Sequence, residues 1–402
     1  MLQGQQMEEE MEQVRLGIIG IGNMGSGHCS TILKGEAGEI TLAAVADLRE
    51  SRREWAKEQL PGEVAVFVTG EELIASGTCD AVLIATPHYD HPRLAVLAFE
   101  KGLHVLCEKP AGVYTKQVRS MNEAAERSGL VFAMMFNQRT NHVYRKMHEL
   151  VHSGEYGKLK RVNWIITDWY RTQAYYNSGG WRATWDGEGG GVLLNQCPHN
   201  LDLLQWICGM PGRVQAFCHN GKWHDIEVED DVTAYLEYPN GATGVFVTTT
   251  GDAPGTNRLE ITLERAKLVC ENDKLMMYEL KVSEREFCYT ATDGFAKPEG
   301  EWKEPGTDGE NPQHAGVLRA FAGRILKGTP LVAEGKEGIY GLTLSNAMHL
   351  SGWLKAPVEL PLDEELFLSK LNELRTASKA KSNVTEATFS TEGSYGAGRV
   401  KP

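Results

Sequence analysis

Arg15-Leu16-Gly17-Ile18-Ile19-Gly20-Ile21-Gly22-Asn23-Met24-Gly25 decides the fold. Arg15 to Ile19 reads as a buried strand and Met24 to Leu33, closed by Gly35, as a helix, so the glycines mark a strand-to-helix turn. In that setting the Gly-x-Gly-x-x-Gly spacing has a physical meaning. The glycines permit a tight turn and bring a pyrophosphate close to a helix N-terminus, whose unpaired N–H groups and dipole favour an anion. A second strand, Ile40 to Ala46, leads into Asp47, 22 residues after Gly25, near the roughly 20 expected for an acid that binds a ribose hydroxyl. Gly20, Gly22, Asn23, Met24, Gly25 and Asp47 form a candidate dinucleotide site. An acid there repels a 2′-phosphate and favours NAD over NADP, while Arg49, Arg52 and Arg53 read either as a solvated helix face or as a phosphate clamp.

Outward from this turn the rhythm continues. Nearly all-apolar strands at Val64–Val68, Ala81–Ala85, His104–Cys107 and Leu130–Met134 alternate with helices at Ser51–Leu60, Glu71–Ala75, His91–Lys101 and Thr115–Ser128. That pattern predicts an α/β, doubly wound parallel sheet over residues 1–137, a Rossmann domain. After Asn137 it changes. A helix near Val143–Ser153, a strand at Leu159–Thr167, a Gly- and Trp-rich stretch, an apolar helical stretch over Leu193–Cys208 and six strands between Val214 and Leu280 predict an α+β domain over residues 138–380. Its open sheet is mostly antiparallel, with a hairpin at Tyr238-Pro239-Asn240-Gly241. Residues 292–313 read as a loop before a helix at about Ala315–Leu326, and residues 381–402 as a frayed tail.

Composition limits the function classes. In 402 residues, 42% hydrophobic and 24% charged, Lys plus Arg number 41 and Asp plus Glu 54, a net charge of −13 that disfavours nucleic acid and anionic membrane surfaces. No apolar run is long enough for a membrane span, the acidic N-terminus is the reverse of a secretory signal, and eight scattered cysteines form no paired motif. A cytoplasmic protein with reduced thiols is expected.

Three further stretches carry chemistry. Ala85-Thr86-Pro87-His88-Tyr89-Asp90-His91 lies where the fourth strand meets its helix, at the sheet edge that binds ligands in such domains. His88 and His91 read either as a metal pair or, lacking acidic or Cys partners at metal spacing, as helix-start or core histidines. Cys107-Glu108-Lys109-Pro110 ends the next strand at the same edge, where burial and a neighbouring cation lower a lysine's pKa toward the range useful for proton transfer. Gly189-Gly190-Gly191 leads to Asn195, His199 and Asp202. Asn195 and His199 share a face if one helix spans both, though Pro198 favours a kink or a later start. His199 reads as a proton carrier or as a core histidine with Asp202 as its structural partner. Trp169, Trp181 and Trp185 suit either a sugar ring or the core.

Taken in order, Gly20-x-Gly22-x-x-Gly25-x-x-His28, Asp47, Ala85-Thr86-Pro87 with His91, Glu108-Lys109-Pro110, Trp181-Arg182 and the triple glycine before Asn195-x-x-x-His199-x-x-Asp202 resemble one family. It is the glucose-fructose oxidoreductase, inositol dehydrogenase and rhizopine-catabolism (Gfo/Idh/MocA) family of NAD(P)-dependent oxidoreductases. The resemblance implies carbohydrate metabolism: oxidation of a secondary hydroxyl of a sugar, glycoside or cyclitol, with Lys109 and His199 catalytic. Asn195, Tyr170, Arg171 and Tyr175 or Tyr176 would reach the substrate, and Thr86, Pro87, His91, Glu108, Lys109, Asn137, Trp181 and Arg182 would surround the cofactor. No metal is implied. A homodimer or homotetramer through the C-terminal sheet is. The family commonly has Asp where this chain has Asn195, and an amide cannot ionise, which leaves the acid/base work to His199 and Lys109. Two alternatives keep the fold: an NAD-dependent redox-neutral glycosidase, and a non-catalytic dinucleotide sensor.

Overall fold

The computed structural model describes residues 12–385. Six parallel strands, β1 (Val14–Ile19), β2 (Ile40–Ala46), β3 (Ala65–Phe67), β4 (Ala81–Ile84), β5 (His104–Cys107) and β6 (Phe132–Met134), form one sheet in the order β3-β2-β1-β4-β5-β6. Helices α1 (Asn23–Leu33), α2 (Glu50–Gln59), α3 (Gly70–Ala75), α4 (Asp90–Glu100) and α5 (Thr115–Ser128) connect them. The strands are apolar throughout because helices cover both faces: every residue of β4 is buried. The strand order reverses between β1 and β4, so the ends of these two strands open the crevice where a doubly wound sheet binds its ligand.

Beyond a 3₁₀ turn at Asn137–Thr140, α6 (His142–His152) leads to a second sheet. Strands β7 (Leu159–Ile166), β8 (Arg213–Asn220), β9 (Glu229–Glu237), β10 (Thr243–Thr249), β11 (Asn257–Leu263), β12 (Ala266–Glu271) and β13 (Lys274–Leu280) make up its body. The remaining helices and edge strands are α7 (Gln173–Tyr176), α8 (Pro198–Cys208), α9 (Glu284–Thr290), β14 (Gly300–Lys303), α10 (Gln313–Lys327), α11 (Gly338–Leu354), β15 (Val358–Glu359) and α12 (Glu364–Ala377). The nine strands run β14-β13-β12-β11-β7-β10-β9-β8-β15, all antiparallel except the β7–β10 pair. The Tyr238–Gly241 turn joins β9 to β10 as the sequence predicts. The expected loop over 292–313 contains β14, paired to β13.

Two cores hold these layers together. One lies between the first sheet and α1 and α2, and α10 returns to complete it with Val317, Leu318, Phe321 and Ala322. The other continues from the opposite face of the first sheet into the second half, so that Leu94 and Val118 share a cluster with Trp164, Leu203 and Leu344. A buried ion pair reinforces this seam. Arg139 donates to Asp202 from Nε (2.8 Å) and Nη2 (2.7 Å), and from Nη1 to Glu337 at 2.5 Å. Asp202 is therefore a partner of Arg139, and it also accepts from Gln205 Nε2 at 3.1 Å. Among the described residues no helix is long and apolar enough to cross a membrane. Of the expected tail, residues 386–402 lie outside the described residues, whereas Lys381 reaches the second half, donating to the carbonyls of Tyr176 (2.6 Å) and Arg182 (2.9 Å).

Candidate active site

The glycine turn is tight where its sequence demands it. Gly20 has φ +88°, and a Cβ there would lie 2.7 Å from the Ala85 carbonyl oxygen; a Cβ on Gly25 would lie 1.9 Å from the Gly20 carbonyl oxygen. Gly22 caps α1 without a side-chain hydrogen bond, which leaves the helix N-terminus, with Asn23 and Met24 in its first turn, facing the crevice. Asp47 Oδ2 accepts the Ile21 N–H (3.0 Å) and Oδ1 the Arg49 N–H (3.0 Å). Arg52 Nε donates to the Ile21 carbonyl (2.7 Å) and Arg53 Nη1 to the carbonyls of Asp47 (2.9 Å) and Leu48 (2.7 Å). Arg49 also stands beside Gly22, its Nη2 3.4 Å from where a Cβ would be.

At the ends of β4 and β5, His91 sits between two loops, Nε2 2.8 Å from the Thr86 carbonyl and Nδ1 2.8 Å from that of Pro110. Pro87 is exposed, and His88 is buried with Nδ1 3.3 Å from the Glu188 carbonyl. His28 Nε2 lies 2.7 Å from Glu108 Oε1, both groups buried. Burial alone would lift the Glu108 carboxyl; the His28 hydrogen bond and nearby cations outweigh it and hold the group at about 2. Asn137 donates to Gln313 at the start of α10. Thr86 Oγ1 and Asn137 Oδ1 are buried with no hydrogen-bond partner among the described residues. Unsatisfied buried oxygens beside a glycine cradle and a helix N-terminus fit a polar ligand with an anionic centre, which is what a dinucleotide offers.

The second half closes over this edge. Lys109 Nζ donates to the main-chain carbonyl of Asn195 at 3.0 Å. Pro198 takes the first turn of α8, so Asn195 lies in the preceding turn and His199 at the helix start, off any common helical face. Phe136 meets the His199 ring edge-on at 6.3 Å. Burial, and after it the charge of Lys109, pushes the His199 imidazole well below its ordinary pKa; burial likewise lowers the Lys109 ammonium against the pull of Glu108 and Glu188.

Several polar residues complete this wall. Asn195 Nδ2 donates to Glu188 Oε1, and Asn195 Oδ1 accepts from Tyr175 Oη at 3.3 Å. Arg182 Nη1 donates to Tyr175 Oη at 2.7 Å and lies 3.8 Å from Glu188, its guanidinium 4.4 Å from the Tyr175 ring centre and 4.6 Å from that of Trp181. The Arg171 guanidinium lies over the rings of Trp169 (5.5 Å) and Tyr175 (5.2 Å). Tyr170 is 49% exposed. Tyr176 backs this cluster: its buried ring meets that of Tyr175 edge-on at 5.2 Å, and its hydroxyl lies 2.7 Å from Thr250 Oγ1. The triple glycine has its own reason, because a Cβ on Gly191 would lie 2.0 Å from the Glu229 carbonyl oxygen, and the Glu229 carboxylate accepts the N–H groups of Gly191 (2.9 Å) and Leu193 (3.0 Å).

Glu188 and Glu229 are the two carboxylates that sequence reasoning missed. The available signal was an acid set directly against three glycines in a Trp-rich stretch; Glu229 begins a Glu-Asp-Asp run that reads as a solvated strand edge.

The chain is similar to known proteins. A model described as the oxidoreductase family, NAD-binding Rossmann fold, matches residues 14–136, and one for the GFO/IDH/MocA C-terminal domain matches residues 144–269. The chain is 24% identical over 355 residues to myo-inositol 2-dehydrogenase of Thermotoga maritima, covering 86% of this chain and 98% of that one. It is 26% identical over 252 residues to D-glucoside 3-dehydrogenase of Escherichia coli, 57% of this chain and 68% of the other. Two further relatives are matched over only 56% and 58% of their own length. Among solved structures, the WlbA dehydrogenase of Bordetella pertussis, in complex with NADH and UDP-GlcNAcA, superposes with a TM-score of 0.73 at 23% identity, covering 87% of this chain and all of that one.

Proposed function

This chain belongs to the Gfo/Idh/MocA oxidoreductase family, with an NAD-binding Rossmann domain, and on that premise we propose that it is a dehydrogenase acting on a secondary hydroxyl of a sugar, glycoside or cyclitol. The observation that carries this reading is the approach of Lys109 Nζ to Asn195, with His199 buried in the same wall, at the edge of the sheet where the cofactor crevice opens. The printed activities of the relatives, on inositol and on glucosides, support the substrate class.

Gly20, Gly22, Asn23, Met24 and Gly25 would hold the pyrophosphate, Asp47 the ribose, and Thr86, His91, Glu108, Asn137, Trp181 and Arg182 the rest of the cofactor. When bound, NAD supplies the two-electron acceptor for carbinol oxidation. The protein's share is proton handling and orientation. Its burial keeps the His199 imidazole neutral, the form that accepts the hydroxyl proton, and the oxyanion developing next to it raises its basicity as the proton moves. The Lys109 ammonium donates to the same oxygen and stabilises its growing charge. Asn195 and Tyr175, with Arg171 and Tyr170 at the mouth, would orient the remaining hydroxyls.

The open face of the second sheet, with Ile165, Phe217 and Tyr235 exposed at 40%, 62% and 40%, is where copies of the chain would meet as a dimer or tetramer. The eight cysteines are free thiols, in keeping with a cytoplasmic setting. The activity reading is tested by following NADH absorbance with NAD against free sugars, glycosides and inositols; no response from any of them contradicts it. The oligomer is tested by light scattering, where a monomer at micromolar concentration contradicts it.

A further inference from the structure

Glu188 is a buried carboxylate in the wall that faces Lys109, and the mechanism above gives it no role. It is 1% exposed. The partners recorded for its carboxylate all donate: Asn195 Nδ2 to Oε1, the Ala183 N–H to Oε2, and Arg182 Nη1 at 3.8 Å. A donor-only environment of this kind suits an ionised carboxylate and opposes the burial that pushes the Glu188 carboxyl above its ordinary range. Its amide partner is directional: with Nδ2 on Glu188, Asn195 must present Oδ1 to the Tyr175 hydroxyl, and Tyr175 in turn accepts from Arg182. Four side chains thus close a loop whose orientation is set at Glu188. The main-chain carbonyl of the same Asn195 receives Lys109.

We propose that Glu188 is a positioning residue, whose carboxylate orients Asn195, Tyr175 and Arg182 and, through Asn195, holds the main-chain carbonyl that receives Lys109. It rests on the reading of Lys109 as a participant in proton handling. Lys109 is within electrostatic reach of Glu108 and Glu188 on the favourable side and of Arg171 and Arg182 on the other, while burial keeps the imidazoles of His88, His199 and His314 neutral at the pH where a lysine titrates. Glu188 feels Arg182, Lys109 and Lys381 as cations, Glu229 as an anion and Tyr176 as a neutral phenol. Removing the Glu188 charge, and with it the hold on Asn195, weakens the support for the Lys109 ammonium against burial, Arg171 and Arg182, so the Lys109 pKa falls.

The test titrates Lys109 without substrate. Potassium cyanate carbamoylates only the neutral amine, and mass spectrometry of the Lys109 peptide across pH gives its midpoint in the full-length wild type, Glu188→Gln and Glu188→Asp. The expected result is a midpoint lower by about one pH unit in Glu188→Gln and lower by a smaller, resolved amount in Glu188→Asp, which keeps the charge but withdraws it from Asn195 by one methylene. With a substrate in hand, kcat falls at least about tenfold in Glu188→Gln, NAD affinity holds, and the alkaline limb of the rate profile moves down with the midpoint. An unmoved midpoint in a folded Glu188→Gln protein overturns the proposal. If that variant does not fold, Glu188→Asp decides alone: its carboxylate is withdrawn by one methylene, and a midpoint and kcat both equal to wild type overturn the proposal. Should no sugar or cyclitol react, the dehydrogenase reading fails while the cyanate titration still decides the place of Glu188.

Discussion

Lys109 and Asn195 meet across 86 residues of chain, the ammonium of one on the main-chain carbonyl of the other, and this contact ties the edge of the parallel sheet to the loop that precedes α8. Because the acceptor is backbone, no side-chain change at position 195 removes it. The contact fixes Lys109 Nζ in the wall of the crevice, where its charge lowers the His199 pKa.

Lys109→Ala deletes the ammonium but leaves the glycine turn and Asp47 intact. It is expected to lower kcat by about 10² to 10⁴ while the Kd for NAD stays within about threefold. Steady-state kinetics beside a binding titration check this; a Lys109→Ala enzyme with wild-type turnover removes Lys109 from the chemistry.

His199 sets the acid side of the rate profile. Burial holds its pKa below 6.5, so the imidazole stays neutral and able to accept a proton as pH falls through 6.5, and is protonated only at lower pH. The acid limb of kcat/KM is expected below pH 6.5. An acid limb above that value assigns the limb to another group.

Asp47 decides between cofactors. Asp47→Ser removes the anion that repels a 2′-phosphate while Arg49 remains beside Gly22. The preference for NAD over NADP is expected to fall by at least about tenfold, some 1.4 kcal/mol. Equal ratios of the two dissociation constants before and after the change count against Asp47 as the selecting residue.

Arg139 and Asp202 are buried and paired through two hydrogen bonds, so breaking the pair strands a charge. Arg139→Met is expected to cost about 3–5 kcal/mol of stability in urea unfolding, and adding Asp202→Leu to recover most of it. If the double variant is as unstable as the single one, the seam depends on packing at these positions rather than on charge pairing.

Glu108 gives stability an acid dependence. Its carboxyl titrates at about 2 in the fold against an ordinary 4.5, so its contribution is complete above about pH 4.5 and is lost as pH falls from there toward 2. Glu108→Gln should flatten the loss of stability over that window. An unchanged acid slope places the stabilising proton linkage elsewhere.

The first sheet was legible in the sequence because each of its strands is short, apolar and punctuated by a glycine or a helix start. Ile40–Ala46 and His104–Cys107 match the reading residue for residue. The hairpin at Tyr238–Gly241 was visible for the same reason, local turn chemistry. What could not be read depends on distant partners. α11 runs Gly338–Leu354 with eleven of its seventeen residues buried, and such a helix shows no polar stripe to reveal its period. The parallel pairing of β7 with β10 joins strands some 80 residues apart. In the candidate site, the glycine turn, Asp47, Lys109 and His199 were named from motif and spacing, whereas Glu188 has meaning only through Asn195 and Arg182. Asp202 was read beside His199 because they are three residues apart, yet its charge is met by Arg139, 63 residues earlier.

The central claim is that Lys109 and His199 serve a net dehydrogenase, and one measurement tests it most directly. NADH absorbance is followed for the wild type and Lys109→Ala with NAD and a panel of sugars, glycosides and inositols, with products analysed in the same samples. The account predicts substrate-dependent NADH and a matching ketone from the wild type, and neither from a Lys109→Ala protein that still binds NAD. Release of an aglycone without net NADH, or tight NAD binding with no response to any member of the panel, would contradict it.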